Sequence, residues 1–346
     1  MGRFANGTFT QDGGANTLVN TLRLAESSGV TGHYILNNGS LQAGWLEVGF
    51  SGNGALSQTG GFAAFSNALI GRATAATGRY DLGGGTLLTS SINIGQHGPG
   101  TFTHSNGHHS ADSISLGETT LGDGVYLIDG GSLTASADIR LGRNGSGRMI
   151  QSGGSVSVTG QVLLGAEAGR GTYTMNGGTL VATWLRPGFQ GAGTFIHSGG
   201  FVNPGEIVIG EGTSAVGRYA LSGTGSIVTN NVYVGVAGQG RMVHTGGTMD
   251  VTGLFTLVGR DAGAAGVYEQ SGGTHRTKEL YLGYNPGSAG TYELSGGVVS
   301  SSFNTFVGDK GAGTFLQSGG SHNAQSMVGW SPTASGFTTS PGARCT

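Results

Sequence analysis

An all-β fold, a right-handed parallel β-helix (β-solenoid) of about fourteen coils, is what this sequence predicts, and three observations predict it. A short phrase recurs along the chain: Gly, any residue, an aromatic, two variable residues, a small polar residue, then Gly-Gly, as in GTYTMNGG from Gly171. Its fourteen copies open 22 to 26 residues apart, between Gly7 and Gly313, a period that belongs to solenoids and arrays. Each unit also holds three runs of period-two alternation bounded by Gly-containing turns, which is a strand pattern. In the unit from Gly147 these are Met149 to Gln151, Ser155 to Val158 and Gln161 to Leu164. Three short strands close a triangle, which favours one unit of ~23 residues per coil over the alternative of two units on opposite sides of a single coil. Coils stack about 4.8 Å apart, which gives fourteen of them a length on the order of 65 Å.

The first run carries the core. Its third position reads Phe9, Tyr34, Leu56, Tyr80, Phe102, Tyr126, Met149, Tyr173, Phe195, Tyr219, Met242, Tyr268, Tyr292 and Phe315, every one large. Stacked coils turn such a position into a buried column. The fifth position alternates: Gln58, His104, Gln151, His197, His244 and Gln317 against Leu36, Leu82, Ile128, Met175, Leu221 and Leu294. The genetic repeat is therefore two units, with a slip near Gly266, where Gln270 follows His244 directly.

The third run ends in a second apolar column, among them Val48, Ile70, Leu141, Val258 and Val328. A glycine follows in thirteen of fourteen units, which marks a corner needing positive φ or close backbone approach. Ala25 stands there in the first unit. Pro187 precedes the glycine in the eighth, where its missing N–H predicts a bulge. The repeats run without interruption, so one domain over 1–330 is expected, with an irregular tail over 331–346.

Composition narrows the class. With 73 Gly but only 6 Pro among 346 residues, and no three-residue period, the chain is not collagen. Charged residues at 10% and abundant β-branched residues exclude plain disorder. The 16 basic residues are scattered singly at a net charge of −2, with no footprint for nucleic acid. No apolar run reaches the length of a membrane-spanning helix. Cys345 is the single cysteine, so shape must come from hydrogen bonds and packing. Met1 opens no hydrophobic leader, so the chain reads as the mature part or a section of something longer.

The ladders hold few candidates for site chemistry. His104, His108 and His109 share a unit with Asp112 nearby, and a strand-borne His cluster could hold Zn or Cu. Gln takes the His104 position in other units, however, which keeps hydrogen bonding and discards most metal affinity. Asp81, Glu269 and Glu293 share the fourth position, but only the last two lie in adjacent units. Polysaccharide cleavage needs carboxylates converging on one groove, and the 18 acidic residues are dispersed. The expectation is no enzyme, no catalytic residue, no cofactor and no metal.

The units from Gly266 (GVYEQSGG) and Gly290 (GTYELSGG) resemble the Gly-rich repeats of large bacterial surface proteins, both autotransporter-like passenger regions and exported proteins with a C-terminal sorting signal. The resemblance implies export and an extracellular or cell-surface location. The function expected is a non-enzymatic structural β-solenoid, a filament subunit or surface adhesin stalk. Its partners are then copies of itself end to end, flanking coils, or a surface glycan. Carbohydrate binding is the alternative, prompted by Tyr281, Tyr284 and Trp330 as exposed aromatics; a glycan-degrading enzyme is the weaker one.

Overall fold

The computed structural model describes residues 1–328 and 336–339. Among them every regular element is a strand and none is a helix. The expected single domain over 1–330 meets a chain that divides into two compact units. The first is Met1–Thr174 with Gly178–Leu180; the second is Met175–Gly177 with the described residues from Val181 on. Each unit is a parallel β-solenoid.

One repeat makes one coil. The first strand Gly7–Gln11 pairs in parallel with Thr31–Leu36, setting Gly7 on Gly32 and Phe9 on Tyr34. The same register runs Tyr80 to Phe102 to Tyr126 in the first unit. In the second it runs Tyr219 to Met242 to Tyr268 to Tyr292 to Phe315. Each strand thus hydrogen-bonds to its equivalent one repeat away, which satisfies the backbone without a closed barrel.

The three predicted runs are present but merge in most coils. In the unit from Gly147 the second and third form one strand, Ser155–Leu164. The corner is still legible in the burial. Along Ser40–Val48 the inward residues are Leu41, Ala43, Leu46 and Val48, so the step of two becomes three once, at Gly44 and Trp45. A strand can therefore turn a corner without a loop. Elsewhere the break is complete, as between Ser132–Ala135 and Ile139–Leu141.

The sharp corner after the third strand needs glycine for two reasons at once. Gly49 has φ 70°, and a Cβ there would lie 2.2 Å from the Thr77 carbonyl oxygen of the next coil. Gly78, which opens the phrase directly after Thr77, faces the same crowding: a Cβ would sit 2.2 Å from the Gly71 nitrogen. The two recurring glycines are one packing requirement. Ala25, in the corner place of the first coil, has φ 58° and is the one positive-φ residue other than glycine among the described residues.

Several expectations are corrected. The strand Thr179–Pro187 runs through Pro187 with the same inward and outward order as Thr86–Ile94, so no bulge marks the proline. Register shifts lie instead between Leu18 and Thr21, where Val19 stands 91% exposed, and between Gln270 and Thr274. Val328 pairs with Phe306 rather than with Val307, one residue out of its expected column. Within the tail expected to be irregular, Gly336–Thr339 forms a strand parallel to Ala312–Gln317, with Gly336 on Gly313. Trp330 lies outside the described residues.

Candidate functional site

The aromatic column is placed as the sequence predicts, with one exception. Tyr34, Tyr80, Phe102, Tyr126, Tyr173, Phe195, Tyr219, Tyr268 and Tyr292 are fully buried and Phe315 nearly so, while Phe9 is 44% exposed. Phe9 touches the column from one side only, tilted against Tyr34 at 5.0 Å. Inside the column the rings stack: Tyr80 on Phe102 at 4.9 Å, Phe102 on Tyr126 at 4.6 Å, Tyr268 on Tyr292 at 4.5 Å. Such stacked pairs add about 0.5–1.5 kcal/mol beyond the burial of their area.

Burying a phenol requires an acceptor for its hydroxyl. The fifth position of the preceding coil supplies it every time. Tyr34 donates to Gln11 Oε1, and Tyr80 donates to Gln58 Oε1 at 2.6 Å. Tyr173 donates to Gln151 Oε1 at 2.7 Å and Tyr292 to Gln270 Oε1 at 2.5 Å. Tyr126, Tyr219 and Tyr268 meet the Nδ1 atoms of His104, His197 and His244 at 3.1, 3.0 and 3.0 Å. The converse also holds. Phe102 follows Leu82, Met149 follows Ile128 and Met242 follows Leu221, so a third residue without a hydroxyl comes after an apolar fifth one. The two-coil alternation of the fifth position is thus the alternation of tyrosine in the third, one coil later. Even the slip at Gly266 obeys it: His244 and Gln270 are consecutive, and so are Tyr268 and Tyr292.

The same Gln and His side chains tie down the Gly-Gly turn of their own coil. Gln58 Nε2 donates to the Gly61 carbonyl at 3.3 Å and to the Thr86 carbonyl of the next coil at 3.0 Å. His197 Nε2 faces the Gly200 carbonyl at 3.2 Å. A carbonyl can only accept, so Nε2 carries the proton and Nδ1 is the lone pair that receives the tyrosine. Gln11, Gln58, His104, Gln151, His197, His244 and Gln270 therefore each staple their own turn and the coil above it, while Gln317 ties its own turn through the Gly320 carbonyl.

The histidine cluster resolves into these roles. His104 and His109 are buried and both meet the Tyr126 hydroxyl, His109 through Nδ1 at 3.1 Å, while its Nε2 lies 3.1 Å from Thr89 Oγ1. His108 points to the other face and bonds Ser132 Oγ at 2.8 Å; Asp112 is exposed and accepts from Ser136 Oγ at 2.8 Å. Among the described residues no three His, Cys, Asp or Glu gather as a metal site. Burial, then the neighbouring His104 and His108, lower His109 to about 3. Burial likewise lowers His197 and His244 to about 4, against the opposing pull of the Gly carbonyls.

Polar partners on the second strand were not singled out from the sequence. Asn16 Nδ2 donates to the Tyr34 hydroxyl at 3.0 Å, and His275 bridges the Tyr292 hydroxyl at 3.1 Å and Thr256 Oγ1 at 2.8 Å. They share the place that His109 fills, and a lone polar residue among Leu, Val and Met at that place is the signal.

Outside, the charged residues pair across coils. Glu47, 5% exposed, takes Arg23 Nε at 2.5 Å and Arg72 Nη1 at 3.2 Å, and both guanidinium groups lie over the Phe50 ring. Glu269 takes Arg241 at 2.8 and 2.9 Å, and Glu293 stands exposed beside it on the next coil. Asp81 pairs with Arg79 of its own strand at 2.7 Å. Tyr281 and Tyr284, expected as exposed aromatics, are half-buried. Phe306 covers the Tyr281 face at 4.5 Å, the Tyr281 hydroxyl donates to Glu279 Oε2 at 2.8 Å, and Lys310 Nζ lies 5.6 Å from the Tyr284 ring.

Compared with protein-family models, curated proteins and solved structures, the chain matches none.

Proposed function

We propose that this chain is a non-enzymatic structural protein of the cell exterior, a β-solenoid serving as a filament subunit or surface adhesin stalk of the autotransporter-like or sorting-signal-bearing kind. The observation that supports this reading is where the chemically capable side chains are committed. The buried Gln and His residues join one coil to the next through Tyr hydroxyls, as in Tyr80 to Gln58 and His197 to Tyr219. Carboxylates such as Glu47 are clamped by arginines of neighbouring coils. Both classes of group serve the repeat itself. Electron microscopy of the native material tests the reading: extended particles or fibres are expected, and turnover of a polysaccharide by the purified protein would overturn it.

A second reading, glycan binding, is favoured by one feature of the first unit. A groove of about 540 Å³ there is lined by Thr17, Gln42, Ala64, Leu88, Ser90 and Asp112 among others, a mix of hydroxyl, amide and small apolar surface suited to a neutral sugar chain. Binding on a glycan array that Gln42→Ala abolishes would move the weight to it.

A further inference from the structure

Seven buried tyrosines hold their coils by giving a hydrogen to the coil before, but the acceptors are of two kinds. An amide oxygen, in Gln11, Gln58, Gln151 and Gln270, accepts at any pH. An imidazole Nδ1, in His104, His197 and His244, accepts only while it is unprotonated. The Nε2 of each already faces a turn carbonyl, of Gly107, Gly200 or Gly247, at 3.2 to 3.4 Å. A second proton must therefore go to Nδ1, which turns the acceptor into a donor. The tyrosine oxygen then has to accept, and its own hydrogen is left in the core without an acceptor.

We propose that the His197–Tyr219 and His244–Tyr268 staples are acid-labile joints, which open when the imidazole is protonated while the glutamine-stapled coils stay closed.

The surroundings single out these two. The groups acting on His197 are burial and the Gly200 and Gly199 carbonyls, beside its hydrogen bond to Tyr219. His244 has burial, the Gly247 and Gly246 carbonyls and Tyr268; on the far side of Tyr268 stand Tyr292, stacked on it at 4.5 Å with its hydroxyl given to Gln270, and His275, whose ring lies on Tyr268 at 4.9 Å and whose own ionisation is opposed by His244. None of these supplies a negative charge for an imidazolium. The Tyr126 joint differs, because His109 offers a second Nδ1 at 3.1 Å. If His104 takes a proton there, the Tyr126 hydrogen can turn to His109, whose Nε2 then carries hydrogen toward Thr89 Oγ1. One proton can be taken up without losing a hydrogen bond. The interchange of Gln and His in a single column makes the device removable by one substitution in either direction.

Hydrogen exchange read by mass spectrometry on the full chain tests it, with rates corrected for the intrinsic pH dependence. Burial holds both imidazoles at about 4, against an ordinary 6.5 in an opened coil, so each opening takes up one proton between those values. The opening constant of Val216–Leu221, the strand of Tyr219, should rise about tenfold per pH unit from pH 6 to 4.5. That of Gly78–Leu82, the strand of Tyr80, should stay level. His197→Gln should flatten the first, and Gln58→His should give the second a slope. Equal slopes at the two strands of the wild-type protein, a slope that survives His197→Gln, or a folded Gln58→His chain whose Gly78–Leu82 stays level would each overturn the proposal. Should Gln58→His fail to fold, the wild-type comparison and His197→Gln still decide.

Discussion

Tyr173 over Gln151 and Arg241 over Glu269 are both bridges from one coil to the next, and their lengths nearly coincide, 2.7 Å inside and 2.8 to 2.9 Å outside. Their surroundings do not. Tyr173 and Gln151 are fully buried, whereas the Arg241 side chain is 55% exposed and that of Glu269 30%. Water competes for the outer pair and salt screens it, so its contribution is at most about 1 kcal/mol. The inner pair has no water to fall back on, so losing one partner strands the other. In a solenoid, where every contact is repeated at the coil spacing, distance says little about strength and burial says most. The interior staple then specifies as well as stabilises: a tyrosine fits only over Gln or His, and a phenylalanine or methionine over an aliphatic residue.

The comparison can be broken most forcefully at the ring. Tyr173→Ala removes a buried aromatic and leaves a cavity between stacked coils, and should destabilise by roughly 3 to 5 kcal/mol in urea titration. A neutral Tyr173→Ala would mean that the column does not carry the core.

Acid comes next. His197 and His244 are held at about 4 in the folded protein, below the ordinary 6.5 of the unfolded chain. A histidine lowered in this way leaves stability intact above pH 6.5, removes it as pH falls toward 4, and removes no more below that, where both states are protonated. For each of the two the loss is about 3 kcal/mol over that window. Urea titrations at a series of pH values should show it, with His197→Gln removing its share. A stability that stays level from pH 6.5 to 4 would refute the neutral, buried assignment.

The outer pair gives the smallest effect. Arg241→Ala and Glu269→Ala should each change stability by less than about 1 kcal/mol, with a coupling that fades in 1 M salt. A larger, salt-insensitive coupling would erase the distinction between the two bridges.

Much of this was readable before the structure. The aromatic column and the corner glycines follow from spacing and residue type alone, because a fixed period brings equivalent positions together, and the departure at Ala25 fell where a positive φ was required. What periodicity left unread depends on contacts between different columns. The link from Gln58 to Tyr80 joins the fifth position of one coil to the third of the next, so each column examined by itself shows only an unexplained alternation. Strand merging was not legible either, since a corner such as Gly44–Trp45 costs one step in the inward order and needs no turn residue pair. Phe9 fits its column by type, yet burial depends on a neighbour on both sides, which type does not report. Tyr281 was expected to be exposed, yet Phe306 of the next coil and Tyr284 beyond the corner cover it, contacts between coils that its residue type does not report.

The most direct test of the staple is a double-mutant cycle on Tyr80 and Gln58. The molecule already contains the apolar version of this joint, Phe102 over Leu82. Tyr80→Phe alone leaves Gln58 Oε1 without its donor, and Gln58→Leu alone leaves the Tyr80 hydroxyl buried without its acceptor, each at a cost of about 1–3 kcal/mol. Of the two carbonyls that Gln58 also serves, that of Gly61 keeps its backbone donor, since it accepts from Thr86 N at 3.0 Å, and the donor lost at the Thr86 carbonyl is lost equally in the single Gln58→Leu and the double mutant. The combined Tyr80→Phe, Gln58→Leu chain should therefore be more stable than the Gln58→Leu single mutant, with a coupling of about 1 kcal/mol or more. Costs that simply add, within about 0.5 kcal/mol, would contradict the claim that hydroxyl and acceptor form one unit.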